Sequence, residues 1–370
     1  MKMEALLKIE NLRTYFYSRS KQAFVRAVDG VSLEVGQGET VGIVGESGSG
    51  KSITAMTIMG LVAAGPGVIG GSIQFSSSGG KKNLLQGLEN YVEIEEKSGR
   101  VMAVNKDESG WQKVSEHMMK DLRGKEISMI FQNPRASLNP FMTVGEQISE
   151  TIRLHTSIKS TMEARERAIY WLEQVKIDSP GLRFNTYPSA MSGGMCQRVM
   201  IAMALSSEPR LLIADEPTTG LDATIQSKIV DLIEELKIET GISTLLISHD
   251  ISVVSRLSDR VAIMYGGAVV EYGPTALLLD TTAQIKHPYT AALLASIPSE
   301  QKIRDKAELQ TIEGDVLDTI NVPPGCRFYE RCNQITPDIE FKCATQHPEL
   351  QEYAPGHQIR CWRIAAQTAK

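Results

Sequence analysis

The sequence predicts an α/β protein whose parallel sheet is covered on both faces. Three observations predict it. Apolar runs of strand length recur at residues 40–44, 127–130, 211–214, 244–247 and 261–264. Helical stretches with polar ends, such as 222–238, lie between them. A glycine-rich turn follows directly on the first run. Strands that alternate with helices in this way form parallel sheets buried on both sides. Residues 6–9 and 31–35 come earlier and read as an N-terminal antiparallel layer. Run 40–44 feeds the turn, and an apolar helix over 53–61 follows. A helical stretch at about 144–207 breaks the alternation, so an inserted helical subdomain is expected at about 134–207. Segment 76–113 is polar, with alternating stretches at 91–95 and 101–104 about Lys97-Ser98-Gly99. It is expected to be a surface elaboration carrying a hairpin.

The 370 residues are ample for a hydrophobic core. With 39 basic and 44 acidic residues the formal charge is −5, which speaks against a broad basic surface for nucleic acid. A hydrophobic content of 42% and a charged content of 22% exclude a disordered chain. No apolar run approaches the about 20 residues a bilayer helix needs. The N-terminus, Met1-Lys2-Met3-Glu4, carries acid early and lacks a signal-peptide core. A chain that stays in the cytosol is expected, with any membrane link made through a partner.

Gly45-Glu46-Ser47-Gly48-Ser49-Gly50-Lys51-Ser52 lies between a buried strand and a helix, the context a phosphate-binding loop needs. Its glycines let backbone N–H groups converge on phosphate oxygens, and the helix N-terminus adds partial positive charge. Lys51 is placed to reach the outer phosphates and the Ser52 hydroxyl to ligate Mg²⁺. A second apolar run ends in Asp215-Glu216. Beside such a loop, Asp215 suits the Mg²⁺ shell and Glu216 suits a general base for water. Taken alone, the pair is an ordinary acidic end of a strand. A third motif, Ser192-Gly193-Gly194, opens an apolar helix and forms another anion site. One ATP has no evident use for both loops of one monomer, so the second is expected to face nucleotide on another subunit.

At these residues the chain resembles the ATP-binding subunits of ABC transporters. Ser192-Gly193-Gly194 is similar to the core of the family signature, with Met191 and Met195 departing from its first and last letters. Gln132 matches the family's Q-loop and Mg²⁺ contact, Thr218 to Asp222 its D-loop, and His249 its switch histidine. Phe16, or its neighbour Tyr15, stands where the family stacks an aromatic ring on adenine. The resemblance covers about residues 5–280. It implies a P-loop NTPase with a RecA-like core, an antiparallel β layer and the helical subdomain. It also implies ATP hydrolysis by Glu216, His249 and Gln132, and nucleotide contacts from Asp222.

The tail, His287-Pro288-Tyr289-Thr290 onward, narrows the resemblance to the dipeptide/oligopeptide/nickel importer branch. Some members hold a [4Fe-4S] cluster on four C-terminal cysteines. Here Cys326, Cys332, Cys343 and Cys361 fall in the last 45 residues. Clustered thiols in a reducing compartment suit metal better than disulfides. Spacing leaves iron and zinc nearly even, with free thiols as a further possibility. The branch favours the cluster. Residues 281–370 are therefore expected to be a small Cys-rich extension whose metal centre stands too far from the hydrolytic motifs to take part in catalysis, so that a change at its cysteines spares ATP binding.

The branch also implies a second ATPase subunit (a paralogue), two integral membrane permeases and an extracytoplasmic solute-binding protein. It places the chain peripherally on the cytoplasmic face of the cell membrane. The resulting expectation is the motor of a peptide importer, with nickel or another solute as alternative cargo. A soluble ABC ATPase acting on nucleic acid or ribosomes is the competing class. The single cassette, the lack of a long heptad run and the acidic charge count against it.

Overall fold

The computed structural model describes residues 4–97, 100–280, 282–283, 285–296 and 311–364. The strands are β1 (Ala5–Ser18), β2 (Ala23–Gly36), β3 (Thr40–Val44), β4 (Pro66–Ser77), β5 (Gly80–Asn83), β6 (Val92–Lys97), β7 (Arg100–Lys106), β8 (Ile127–Ile130), β9 (Leu211–Asp215), β10 (Ser243–Ile247), β11 (Arg260–Tyr265), β12 (Ala268–Pro274), β13 (Gln351–Ala354) and β14 (His357–Ile359). The helices are α1 (Lys51–Ile58), α2 (Glu108–Met119), α3 (Pro134–Ser137), α4 (Val144–His155), α5 (Thr161–Gln174), α6 (Pro180–Arg183), α7 (Gly193–Leu205), α8 (Ala223–Thr240), α9 (Ile251–Leu257), α10 (Thr275–Leu278), α11 (Pro288–Ala295) and α12 (Glu340–Thr345).

The main sheet has the order β13-β14-β12-β11-β3-β10-β9-β8. Its centre, from β11 to β8, is parallel. The alternation along β9 shows why these strands read as continuous apolar runs. Leu211 and Ile213 face one core while Leu212 and Ala214 face the other. One core lies against the antiparallel layer β2-β1-β4-β5 and holds Leu7, Val31, Ile43, Ile58 and Phe75. The other lies under α4, α5, α7, α8 and α9, with Ile148, Leu172, Val199, Ile229 and Val254. A capping box starts α4: the Thr143 side chain accepts from the Glu146 N–H at 3.3 Å, and the Thr143 N–H donates to the Glu146 carboxylate at 2.9 Å. That reciprocal bonding fixes where the helical subdomain begins.

Segment 76–113 is only partly the surface elaboration its composition suggests. β5 pairs with β4, Leu84, Leu85 and Leu88 are buried, and α2 delivers Trp111 to the core. A polar average hid these flanking apolar anchors. The hairpin of β6 and β7 does form, and Arg13 ties it to β1 through Glu96 at 3.1 Å. Its expected turn residues, Ser98 and Gly99, lie outside the described residues.

The tail is knitted into the main sheet. β14 pairs with β12 and β13 pairs with β14, so the last strands extend the edge of the nucleotide-binding sheet. A buried His357 lies 2.8 Å from the fully buried Glu271 of β12. The extension is thus continuous with the nucleotide-binding sheet. Polar partners for buried groups of the cassette come from the tail itself. Among the described residues no helix is long and apolar enough to cross a membrane.

Candidate active site

Strands β3, β9 and β10 end side by side and carry the loop before α1, the Asp215-Glu216 pair and His249. Gly50 precedes α1 at φ 98°, and a Cβ there would sit 2.1 Å from the Ala27 carbonyl oxygen. Only glycine permits that approach in that conformation. Within the loop, Lys51 Nζ donates to the carbonyls of Gly45 (2.8 Å) and Glu46 (3.0 Å). Burial lowers the Lys51 ammonium from its usual range, opposed by Glu216, Asp215 and Glu46. Ser47 and Gly48 stand exposed at the crest, while Ser49 is buried.

The Ser52 hydroxyl donates to Asp215 Oδ1 at 3.0 Å, which puts the two expected Mg²⁺ contacts together. Gln132 Nε2 donates to Glu216 Oε2 at 2.7 Å, and the Thr219 hydroxyl donates to the same oxygen at 2.9 Å. His249 Nδ1 lies 3.3 Å from Glu216 Oε1. Glu216 holds a left-handed φ of 48°, locked by its N–H donating to Ile247 at 2.8 Å. A non-glycine residue held there is strained, and such strain gathers at functional sites. The environments act on the two carboxyls in opposite directions. Burial raises Asp215, and neighbouring Glu216 adds to it. Burial works against Glu216 as well, but the bonds from Thr219, His249 and Gln132 outweigh it and lower its pKa.

Ser192 is exposed and caps α7, its hydroxyl accepting from the Met195 N–H at 3.3 Å. Asp222 caps α8 by accepting from Ile225 at 3.0 Å. Tyr15 is not free to stack on a base: it is buried, and its hydroxyl donates to Asp29 Oδ1 at 2.6 Å. Phe16, next along β1, is half-buried and keeps part of its ring open.

Sequence reasoning missed the residues that brace the loop from behind. The Tyr289 hydroxyl accepts from the Glu46 N–H at 3.0 Å, and Arg331 grips the Glu46 carboxylate with both terminal nitrogens at 2.8 and 3.1 Å. No local signal announces them, because both partners lie more than 240 residues along the chain from Glu46.

Cys326, Cys332, Cys343 and Cys361 line one small cavity with Phe328, Ile339 and Trp362. Gly325 makes this possible, because a Cβ there would sit 2.1 Å from the Cys343 carbonyl oxygen. Burial pushes the Cys326 thiol up to about 12, and Cys361, Cys343 and Cys332 add to the shift. Among the described residues, however, no three His, Cys, Asp or Glu side chains group as ligands for a metal ion. What stands is four thiols around a largely apolar cavity, not a formed metal site.

A family model described as "ABC transporter" matches residues 28–219, and one described as "Oligopeptide/dipeptide transporter, C-terminal region" matches 270–338. The chain is 43% identical to the oligopeptide transport ATP-binding protein AppD of Bacillus subtilis (strain 168), covering 100% of this chain and 99% of that protein. It is 40% identical to the dipeptide transport ATP-binding protein DppD of Escherichia coli (strain K12), covering 96% of each. Among solved structures it is similar to the dimeric bacterial ABC transporter cassette MJ0796. The TM-score is 0.56 and the identity 25%, over 73% of this chain and 98% of that one.

Proposed function

The chain belongs to the family of ABC transporter ATP-binding subunits, in its oligopeptide/dipeptide branch, and we propose how its residues divide the work of an ATP-driven motor for peptide uptake. The motor is an ATPase. One observation carries the reading: Ser52 meets Asp215 while Gln132, Thr219 and His249 converge on Glu216. We assign the loop 45–52 to the phosphates of ATP, with Lys51 at the outer ones. Ser52, Asp215 and Gln132 would hold Mg²⁺, which neutralises charge on the transferring phosphoryl group. Glu216 accepts the proton of the attacking water, and His249 orients it and the terminal phosphate. Phe16 stacks on the base. Ser192, Gly193, Gly194 and Asp222 act across a dimer on nucleotide held by a second ATPase subunit, a paralogue. Residues 1–280 form the nucleotide-binding domain, with 281–370 as its extension.

The same reading gives the chain two integral membrane permeases and an extracytoplasmic binding protein as partners, at the cytoplasmic face of the membrane. Support comes from two exposed apolar side chains of the helical subdomain. Phe141 is 88% exposed and Leu182 77% exposed. The two lie on neighbouring segments, because Val144 and Gly145 N–H groups donate to Thr186 and Phe184 carbonyls. Exposed apolar side chains on neighbouring segments suit a permease's cytoplasmic helix. Affinity purification from membranes is expected to bring down two integral membrane proteins and a second ATPase. ATP turnover of that complex is expected to rise with peptide-loaded binding protein. Turnover indifferent to peptide would reject the importer reading.

For the tail we propose a [4Fe-4S] cluster on Cys326, Cys332, Cys343 and Cys361, with zinc as the alternative. Four soft donors around one cavity suit either. Buried thiols held protonated need a cationic centre to become thiolates, and a bound centre supplies the cross-link that folds the tail. Anaerobically purified protein is then brown, absorbs broadly near ~400 nm and carries about four irons per chain. Stoichiometric zinc without iron would decide for zinc, and absence of metal would leave four thiols.

A further inference from the structure

The phosphate-binding loop is held from the tail side by residues outside the nucleotide motifs. The short turn Tyr329–Arg331 sits between Cys326 and Cys332. Arg331 from that turn is almost wholly buried, its side chain 5% exposed. Every donor group of its guanidinium has a partner. Nη1 and Nη2 donate to the two carboxylate oxygens of Glu46 at 2.8 and 3.1 Å, Nη1 also to the Tyr265 hydroxyl at 3.3 Å. Nε donates to the Glu313 carbonyl at 3.0 Å and Nη2 to the Ile312 carbonyl at 3.3 Å. Such a two-pronged pair fixes angle as well as distance.

Glu46 is the second residue of the loop, and its backbone is used inside it. Its carbonyl accepts from Lys51 Nζ and from the Ser49 N–H. Its N–H donates to Tyr289, whose ring packs on Tyr265 (4.7 Å between centroids) and Phe328 (5.5 Å). Tail residues thus hold Glu46 by side chain and by backbone at once.

We infer that Arg331 is a positioning residue for nucleotide binding: by gripping Glu46 it sets the shape of the loop that Lys51 and the backbone N–H groups present to phosphate. Tyr289 is its backbone counterpart. The tail therefore tunes nucleotide affinity. The inference rests on the reading of 45–52 as the nucleotide site.

The full chain is tested with a fluorescent ATP analogue, alongside steady-state ATP turnover and alkylation of the tail cysteines by iodoacetamide. Arg331→Met and Glu46→Ala are each expected to weaken nucleotide binding roughly 5- to 150-fold, the usual span of coupling between two sites. KM rises more than kcat falls. The double variant is expected to be no weaker than the worse single one, because both remove one interaction. Arg331→Lys recovers part of the loss, keeping the charge without the fork. In Glu46→Ala the cysteines stay as protected as in the parent, which separates loop positioning from unfolding of the tail. Unchanged affinity in Arg331→Met overturns the inference. So does additive loss in the double variant with the cysteines of Arg331→Met exposed, since that marks mere unfolding. Lys51→Ala is the control. If it too binds nucleotide normally, the reading of 45–52 falls; if it abolishes binding while Arg331→Met does not, only the role of Arg331 falls.

Discussion

Replacing Glu216 with glutamine lowers ATP turnover of the assembled complex by roughly 10²–10⁴-fold, the usual contribution of a general base. The amide is nearly the same size and can still accept from Thr219, so the local fold survives. What disappears is the capacity to take a proton. Lys51, Ser52 and Asp215 are untouched, so nucleotide binding is retained and ATP-bound closed dimers accumulate. Direct binding and turnover measured on the same preparation separate the two effects. Near-normal turnover would remove Glu216 from the role. The pH profile adds a second check. Three bonds, from Thr219, His249 and Gln132, hold the Glu216 carboxyl below the usual glutamate range despite its burial. The base thus stays ionised throughout the neutral range. Any acid limb it contributes lies below that of an ordinary glutamate, whereas a limb near neutrality must come from another group.

The parallel core was legible because fully buried strands leave an unambiguous trace. Thr40–Val44, Leu211–Asp215 and Ser243–Ile247 are buried at every position. The order of motifs placed Gly45 to Ser52, Gln132, Asp215, Glu216 and His249 in one site because each ends or follows a strand. The edges were less legible. β13 and β14 are short and mostly polar, and β14 joins β12 from far along the chain, with the side chains of Glu271 and His357 meeting across 86 residues. No local pattern announces such a pairing. Segment 76–113 misled for a related reason, since a few leucines and Trp111 decide burial while serines and glycines dominate the composition. Tyr15 misled in the opposite sense. As an aromatic beside Phe16 it resembled a base-stacking residue, yet its hydroxyl serves a buried carboxylate. Arg331 and Arg327 were invisible as sites because an arginine's partner is set by tertiary structure.

That buried carboxylate, Asp29, carries a large expected stability effect. Its Oδ1 accepts from the Tyr15 hydroxyl, and its Oδ2 accepts from Arg26 at 2.8 Å and from Arg327. Arg327 comes from the tail, 298 residues along the chain, and is 6% exposed; Asp29 is 7% exposed. The cluster is a seam between the antiparallel layer and the tail. Removing one member of a buried pair strands the other charge in low dielectric, at a cost of about 3–5 kcal/mol. Asp29→Ala strands two guanidinium groups and a phenol, so an effect of that size is expected, with melting lowered by roughly 5–15 °C. A surface pair sets the contrast. Lys21 and Asp318 meet at 3.1 Å with side chains 57% and 45% exposed, and Asp318→Ala is expected to cost less than about 1 kcal/mol. The acid dependence follows from the direction of the Asp29 shift. Burial opposes its ionisation, but Arg327, Arg26 and Tyr15 outweigh that and lower its pKa. A carboxyl lowered on folding contributes stability above its unfolded pKa, about 3.9, and loses it as pH falls through the folded value. The gap between parent and Asp29→Ala should therefore be full at neutral pH and narrow below about pH 4, as the parent's own Asp29 becomes protonated and leaves Arg327 unpaired. Thermal melts of both proteins across that range test the claim: equal melting at pH 7, or a gap that widens in acid, would show that Arg327 finds its compensation elsewhere.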